Sequence, residues 1–324
     1  MNLPLWTVSG GVKHFEKIST SNRKFREYYD TPRNLFNSTY DSIFGLKWNG
    51  GRVCNPHDTM DLASLKDCVN EYNKQGIGFN FSFTNICLKE QDLDDLACNF
   101  VLENIIATHH LNGVICASKM LRDYIKTNYP RVRIIWSVIN GLKTAEEYNE
   151  ACEDEQNYLV VLHPDFNHNL KFLDKLTHPE KIEVMANDAC VFGCPYRRLH
   201  YTMLSEYAIQ QATNPIIPSL KELDGTKSSL YKTEYGTGCI AALNGYVRDN
   251  RNILSFSDID AMLDRGFQHF KLIGGREYDW KTFETKWFEN YLKRYPARKC
   301  FAECGMNRYL FSKLKATKPT IRNV

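Results

Sequence analysis

The feature that most constrains this chain is a repeated alternation of short β-rich runs with amphipathic helices, sustained along most of its length. Leu3 to Gly11 reads as a first strand. After a long interruption, a helix from Asp61 to Gln75 carries Leu62, Leu65, Val69 and Tyr72 on one face, the spacing of a half-buried helix. Strand and helix then alternate: Gly78 to Asn85 with Asp92 to Thr108, Asn112 to Ser118 with Lys119 to Asn128, and Arg131 to Asn140 with Thr144 to Asp154. Thr144 and Glu147 have the spacing of a capping box. Tyr158 to Asp165 leads to a short helix from Leu170 to Leu176, and Glu183 to Asn187 to a helix from Arg197 to Ala212. Gly238 to Leu243 reads as a seventh strand, followed by a helix from Ser257 to Arg265 that Gly266 closes. Gln268 to Gly275 is the eighth, with its helix from Trp280 to Arg294.

Eight β-α units joined by short connections predict a TIM-type (β/α)8 barrel in the α/β class, built as a single domain. Alternation alone does not separate a closed barrel from an open doubly wound sheet; the count of eight favours closure. The expected domain is residues 1–294, with an insertion over 15–60 after the first strand, an excursion over 214–235, and a basic C-terminal tail over 295–324. Within the insertion, Tyr40 to Trp48 has the pattern of a small strand, and Trp48 to Arg52 that of a lid tip or a tight turn.

Net charge is +3, which by itself calls for neither nucleic acid nor membrane. The tail is more basic and offers a weak nucleic-acid contact, or simply a solvated face. No apolar run reaches the ~18 residues of a membrane span, and the N-terminus lacks the charged start and apolar core of a signal peptide. Eleven cysteines without an export signal then point to a reducing, cytoplasmic setting. Cys68, Cys98, Cys116 and Cys152 fall on apolar faces and read as core residues.

Barrel chemistry sits at the C-terminal ends of the strands. Those ends present Asn85, Asn140, His163, Asp165, Asn187, Asp188, Cys190, Cys194 and Arg276. Cys190 and Cys194 put two thiols on one loop, where they suit zinc, an iron–sulfur cluster or a redox disulfide; the alternative is two ordinary buried cysteines. Further ligands must come from elsewhere, in the order Cys239, Cys304, Cys300. His200, on the next helix, is a candidate ligand or proton-transfer group, or a surface histidine. His163 beside Asp165 suits general acid–base work, although His-Pro-Asp also makes a turn. Arg276 after two glycines suits an anionic substrate, with Asn85 and Asn140 as further substrate-binding candidates.

The run from Ile253 to Arg276, with Ser255, Asp258, Gly266, Lys271 and Arg276 at its marked positions, resembles the closing signature of the collagenase-like peptidase family, peptidase U32. Cys190, Cys194 and Cys239 fall where that family carries spaced cysteines, with the first pair closer together here. The resemblance implies a barrel and an oxygen-sensitive [4Fe–4S] cluster. It also implies hydroxylation of RNA or of a small aromatic substrate. The resemblance carries over only the cysteines and Arg276; with Cys304 added from the order above, Cys190, Cys194, Cys239 and Cys304 are the expected ligands, and the strand-end reading makes His163, Asp165, Asn187 and His200 the expected catalytic groups. A peptidase-like or zinc-dependent hydrolase and a non-catalytic binding barrel are the competing readings. Oligomeric state is not legible.

Overall fold

The computed structural model describes residues 4–51, 54, 59–188, 190–213, 241, 244, 246 and 251–274. Eight parallel strands close into one barrel in chain order. They are β1 (Leu5–Ser9), β2 (Phe36–Asp41), β3 (Gly78–Phe83), β4 (Gly113–Cys116), β5 (Arg133–Trp136), β6 (Leu159–Val161), β7 (Ile182–Met185) and β8 (His269–Leu272). The described helices are α1 (Phe15–Tyr29), α2 (Leu62–Lys74), α3 (Leu96–Val101), α4 (Lys119–Asn128), α5 (Ala145–Glu153), α6 (Leu170–Leu173), α7 (Arg197–Thr213) and α8 (Phe256–Asp264).

Two expectations are corrected. The stretch 15–60 is no insertion: it supplies α1 and the barrel strand β2, which pairs with β1 and β3. Its strand is hard to see because it carries little apolar alternation. Phe36 faces the helices, whereas Ser38 and Tyr40 face the lumen, and Ser38 Oγ meets Thr7 Oγ at 2.8 Å. Asn22 on α1 fastens the strand by accepting from Phe36 N–H at 2.8 Å. The second correction concerns Gly238 to Leu243. β7 pairs directly with β8, Glu183 opposite His269 and Met185 opposite Lys271, so the closed ladder has no place for another strand between them. Ala241, the one described residue of that run, has helical conformation. The count of eight therefore holds with one strand exchanged for another. The expected helix 280–294, the excursion 214–235 and the tail 295–324 lie outside the described residues.

The local signals explain most helix ends. Asp61 accepts from Ser64 N–H at 2.9 Å, and Thr144 and Glu147 form the reciprocal capping box. Gly266 ends α8 with φ +93°, a conformation that favours glycine.

The core lies in two layers. Between strands and helices sit Trp6, Val8, Phe36, Phe79, Phe81, Phe83, Val114, Ile134, Val184 and Phe270, all buried. Inside the barrel, Ile115, Ile135, Leu159, Val161 and Met185 make a smaller apolar plug with Tyr40. β4 to β7 supply nearly all of that plug. β1, β2, β3 and β8 instead turn Thr7, Ser9, Ser38, Ser82 and Lys271 inward, which leaves one side of the lumen polar. Among the described residues no helix is long and apolar enough to cross a membrane.

Candidate functional site

A cavity of about 260 Å³ opens at the C-terminal ends of the strands. Its floor is Tyr40, Ile115, Val161, Met185 and Lys271. Ser9, Asp41, Ser42, Asn49, Gly50 and Thr84 form one wall, and Asn187, Asp188, Cys190, His200 and Tyr201 the other. The chain carrying Gly50 packs hard on the end of β3: a Cβ there would stand 2.7 Å from both the Asn85 Cα and the Thr84 carbonyl oxygen. That close approach brings Asn49 and Cys54 to the cavity.

Lys271 is the charged centre of the floor. It comes from β8, whose Phe270 and Leu272 point outward, so period-2 alternation sends Lys271 into the lumen. Its Nζ lies 3.1 Å from Glu183 Oε2 and 4.2 Å from the centre of the Tyr40 ring. Glu183 is 1% exposed and Lys271 5%. Removing either charge alone would leave the other buried without its partner.

The loop from β7 to α7 carries the two cysteines, and a second charge network fixes it. Asp165, after β6, accepts from Gly193 N–H at 3.0 Å, from the Arg197 guanidinium at 3.2 Å and from Asn252 Nδ2 at 3.2 Å. Arg197 also donates to the Val191 carbonyl at 3.0 Å and stands 3.7 Å from Asp188. Asp188 accepts from Cys190 N–H at 3.1 Å. Gly193 takes φ +61° in the middle of this turn, so a side chain there would be strained. His163 belongs to the same network. Burial first, then the neighbouring Arg197, push its pKa down to about 4 against the opposing pull of Asp165. The ring is therefore neutral at pH 7, and its Nδ1 accepts from Asp165 N–H at 3.3 Å.

The sequence-selected residues thus separate. Asn187, His200 and Cys190 border the cavity. Asn187 reaches it with its amide already committed: Oδ1 accepts from Ile273 N–H at 2.8 Å and Nδ2 donates to Ile273 O at 2.9 Å, prolonging the β7–β8 ladder. His163 and Asp165 lie in the loop clamp rather than in the cavity wall. Asn85 is fully buried and ties the Lys47 and Ser205 carbonyls together. Asn140 donates to the Ser137 carbonyl at 2.9 Å. Cys194 is half-buried on the loop beyond the cavity lining. Cys239, Cys300, Cys304 and Arg276 lie outside the described residues. Sequence reasoning missed Tyr40, Asp41, Cys54, Glu183 and the lumenal setting of Lys271. A buried parallel strand reads as near-continuous apolar residues, so Glu183 within β7 and Lys271 within β8 were the available signals.

The cysteines divide as sharply. Burial pushes the thiols of Cys116 and Cys152 up to about 12, and burial with the Asp41 charge does the same to Cys68. Burial leads in raising Cys98 well above the usual thiol range. Such thiols are poor ligands and poor nucleophiles. Cys190 and Cys194 are half-buried on the same fixed loop, Cys190 at the cavity rim and Cys194 beyond it, with Cys54 bordering the cavity as well. Thiol donors of this kind suit a soft metal or an iron–sulfur cluster, of which Cys190 and Cys194 could supply two ligands. Among the described residues, no three His, Cys, Asp or Glu side chains converge tightly enough to complete such a site.

No family model matches the sequence, and no curated protein matches it. The structure is similar to the solved structure of the U32 peptidase Mk0906, with a TM-score of 0.51, 11% sequence identity, and coverage of 85% of this chain and 94% of that chain. An HpcH/HpaI aldolase from Desulfitobacterium hafniense aligns over 89% of this chain and 92% of its own at 10% identity, with a TM-score of 0.31. The likeness to the U32 structure gives this chain a U32-like fold, a closed parallel barrel.

Proposed function

We propose that the chain is an iron–sulfur barrel enzyme that modifies a small aromatic substrate or an RNA base, with hydroxylation as the reaction class. One observation carries the reading: the Cys190 thiol sits in the wall of the same cavity whose floor holds Lys271 and Tyr40. Cys190 and Cys194 would hold the cluster, with Cys239 and Cys304 as the remaining ligands. A bound cluster supplies one-electron chemistry at the rim.

The chain's own groups then have distinct tasks. Ile115, Val161 and Met185 give the floor an apolar surface for a planar ring. The ammonium of Lys271, steadied by Glu183 and the Tyr40 ring, faces an electronegative substituent on that ring. His200, which lines the cavity, would take or give a proton. The volume of about 260 Å³ suits one ring system rather than an extended chain. The hydrolase reading draws less support, because His163 and Asp165 spend their hydrogen bonds on the loop clamp.

The test is anaerobic purification and reconstitution, followed by visible absorbance and iron and sulfide analysis. A brown protein with stoichiometric iron and sulfide is expected. A colourless, iron-free protein would overturn the reading, and a single zinc whose chelation abolishes peptide hydrolysis would favour the hydrolase.

A further inference from the structure

A second cavity, of about 350 Å³, lies at the opposite end of the barrel, among the N-terminal residues of β5, β6 and β8. In most barrels this end is a stability face. Here it holds charge. Lys126, Arg131, Arg133 and Lys181 border the cavity against two carboxylates, Glu155 and Glu180, which are exposed at its edge. Lys126 is fixed by donating to the Pro130 and Val132 carbonyls, and Lys181 by donating to the Cys152 carbonyl. Arg131 and Arg133 make no ion pair with a carboxylate among the described residues. The Arg133 guanidinium carbon lies over the Tyr158 ring, 4.6 Å from its centre, and the same ring meets His269 edge-on at 6.4 Å. A cation–π contact of that kind steadies the guanidinium without consuming its N–H groups, which can still serve an oxyanion. Gln156 also borders the cavity, and its buried Oε1 has no hydrogen-bond partner among the described residues.

We propose that this basal cavity is a binding site for a phosphate-class anion, with Arg133 as its principal ligand and Arg131 as the second. The excess of two positive charges on the wall matches a phosphate dianion. A guanidinium can give two parallel donors to two phosphate oxygens. The orphaned Gln156 acceptor suits the remaining O–H of hydrogen phosphate. The site is separate from the upper cavity: the two share no lining residue, and the Glu183–Lys271 pair stands in the lumen between His269 at the base and the upper cavity, whose floor includes Lys271.

The experiment is calorimetric titration of the full chain with inorganic phosphate, against sodium chloride at equal ionic strength. Saturable one-to-one binding is expected. Arg133→Gln should weaken it roughly tenfold or more, the cost of one charge-assisted contact. Arg131→Gln, an exposed position whose replacement leaves the core untouched, should weaken it several-fold and decides the matter if Arg133→Gln does not fold. A second readout is the imidazole resonance of His269. Its pKa is held below the usual value by burial first and by Arg133, against Glu183. A phosphate on Arg133 should therefore raise it. No saturable binding, binding unchanged in Arg131→Gln, or binding that leaves His269 unmoved would each overturn the proposal.

Discussion

Two charge networks flank β7, and they differ in what they face. The Glu183–Lys271 pair points into the lumen, with Lys271 in the floor of the upper cavity. The Asp165–Arg197 network stands at the rim and points into a loop, where every acceptor on Asp165 serves a backbone or side-chain donor of the Cys190–Arg197 turn or its neighbour Asn252. Both networks are mostly shielded from water. The lumenal pair does little to hold one segment against another, since β7 and β8 already pair through their backbones. The clamp does little else. The difference teaches that a titratable group at a barrel strand end is as readily a fastener as a reactive group, and that side-chain direction decides between them.

The largest expected effect breaks the lumenal pair. Lys271→Met should cost about 3–5 kcal/mol in urea unfolding, because it leaves Glu183 charged and unpaired in the lumen. Adding Glu183→Leu should return most of that stability while leaving ligand binding in the upper cavity impaired. If the double variant binds ligand like wild type, the pair is packing and nothing more.

The clamp should give less. Asp165→Asn keeps the shape but removes the charge opposite Arg197, at a cost of about 1–3 kcal/mol. Its signature is local: hydrogen exchange at the Gly193 amide should quicken while amides of β7 and β8 stay protected. Equal loss of protection in both regions would erase the distinction between them.

A smaller effect follows from His163. Its folded pKa of about 4 lies below the ordinary 6.5. The unfolded chain thus binds the proton more tightly, and stability falls as pH drops from the ordinary value toward the folded one. The part of the loss seen before the carboxylates titrate should be on the order of 1 kcal/mol. It should shrink in His163→Gln, as read from denaturant midpoints across that window. A slope unaffected by the substitution would remove His163 from the clamp.

The smallest effect on stability is at Cys194, where Cys194→Ser on the half-buried loop should change unfolding by no more than about 0.5 kcal/mol. Alkylation sharpens the same contrast: Cys190 and Cys194 should react in the folded protein, while Cys116 and Cys152, with thiols near 12, should resist.

The barrel was legible because seven of its strands carry compact apolar runs between turn residues. β2 was not: a strand lining the polar side of the lumen places Ser38 and Tyr40 where alternation would put aliphatic residues, and only Phe36 marks its outer face. Gly238 to Leu243 misled for the opposite reason, being a short apolar run next to glycine with no ladder to join. The upper site was legible in location, since Cys190, Asn187 and His200 all border the cavity. It was not legible in orientation. His163 with Asp165 has the composition of an acid–base pair, yet three-dimensional neighbours remote in sequence, Gly193, Arg197 and Asn252, claim the carboxylate. Lys271 lay within a correctly placed strand, and its inward direction emerges only once β8 is seated between β7 and β1.

The most direct test of the account is the iron and sulfide content of anaerobically reconstituted Cys190→Ser set beside Cys116→Ser. Both replace one sulfur by oxygen, one at the cavity rim and one in the barrel wall. The account predicts that Cys116→Ser retains the iron and sulfide of wild type and that Cys190→Ser loses most of both. Equal content in the two variants would contradict it.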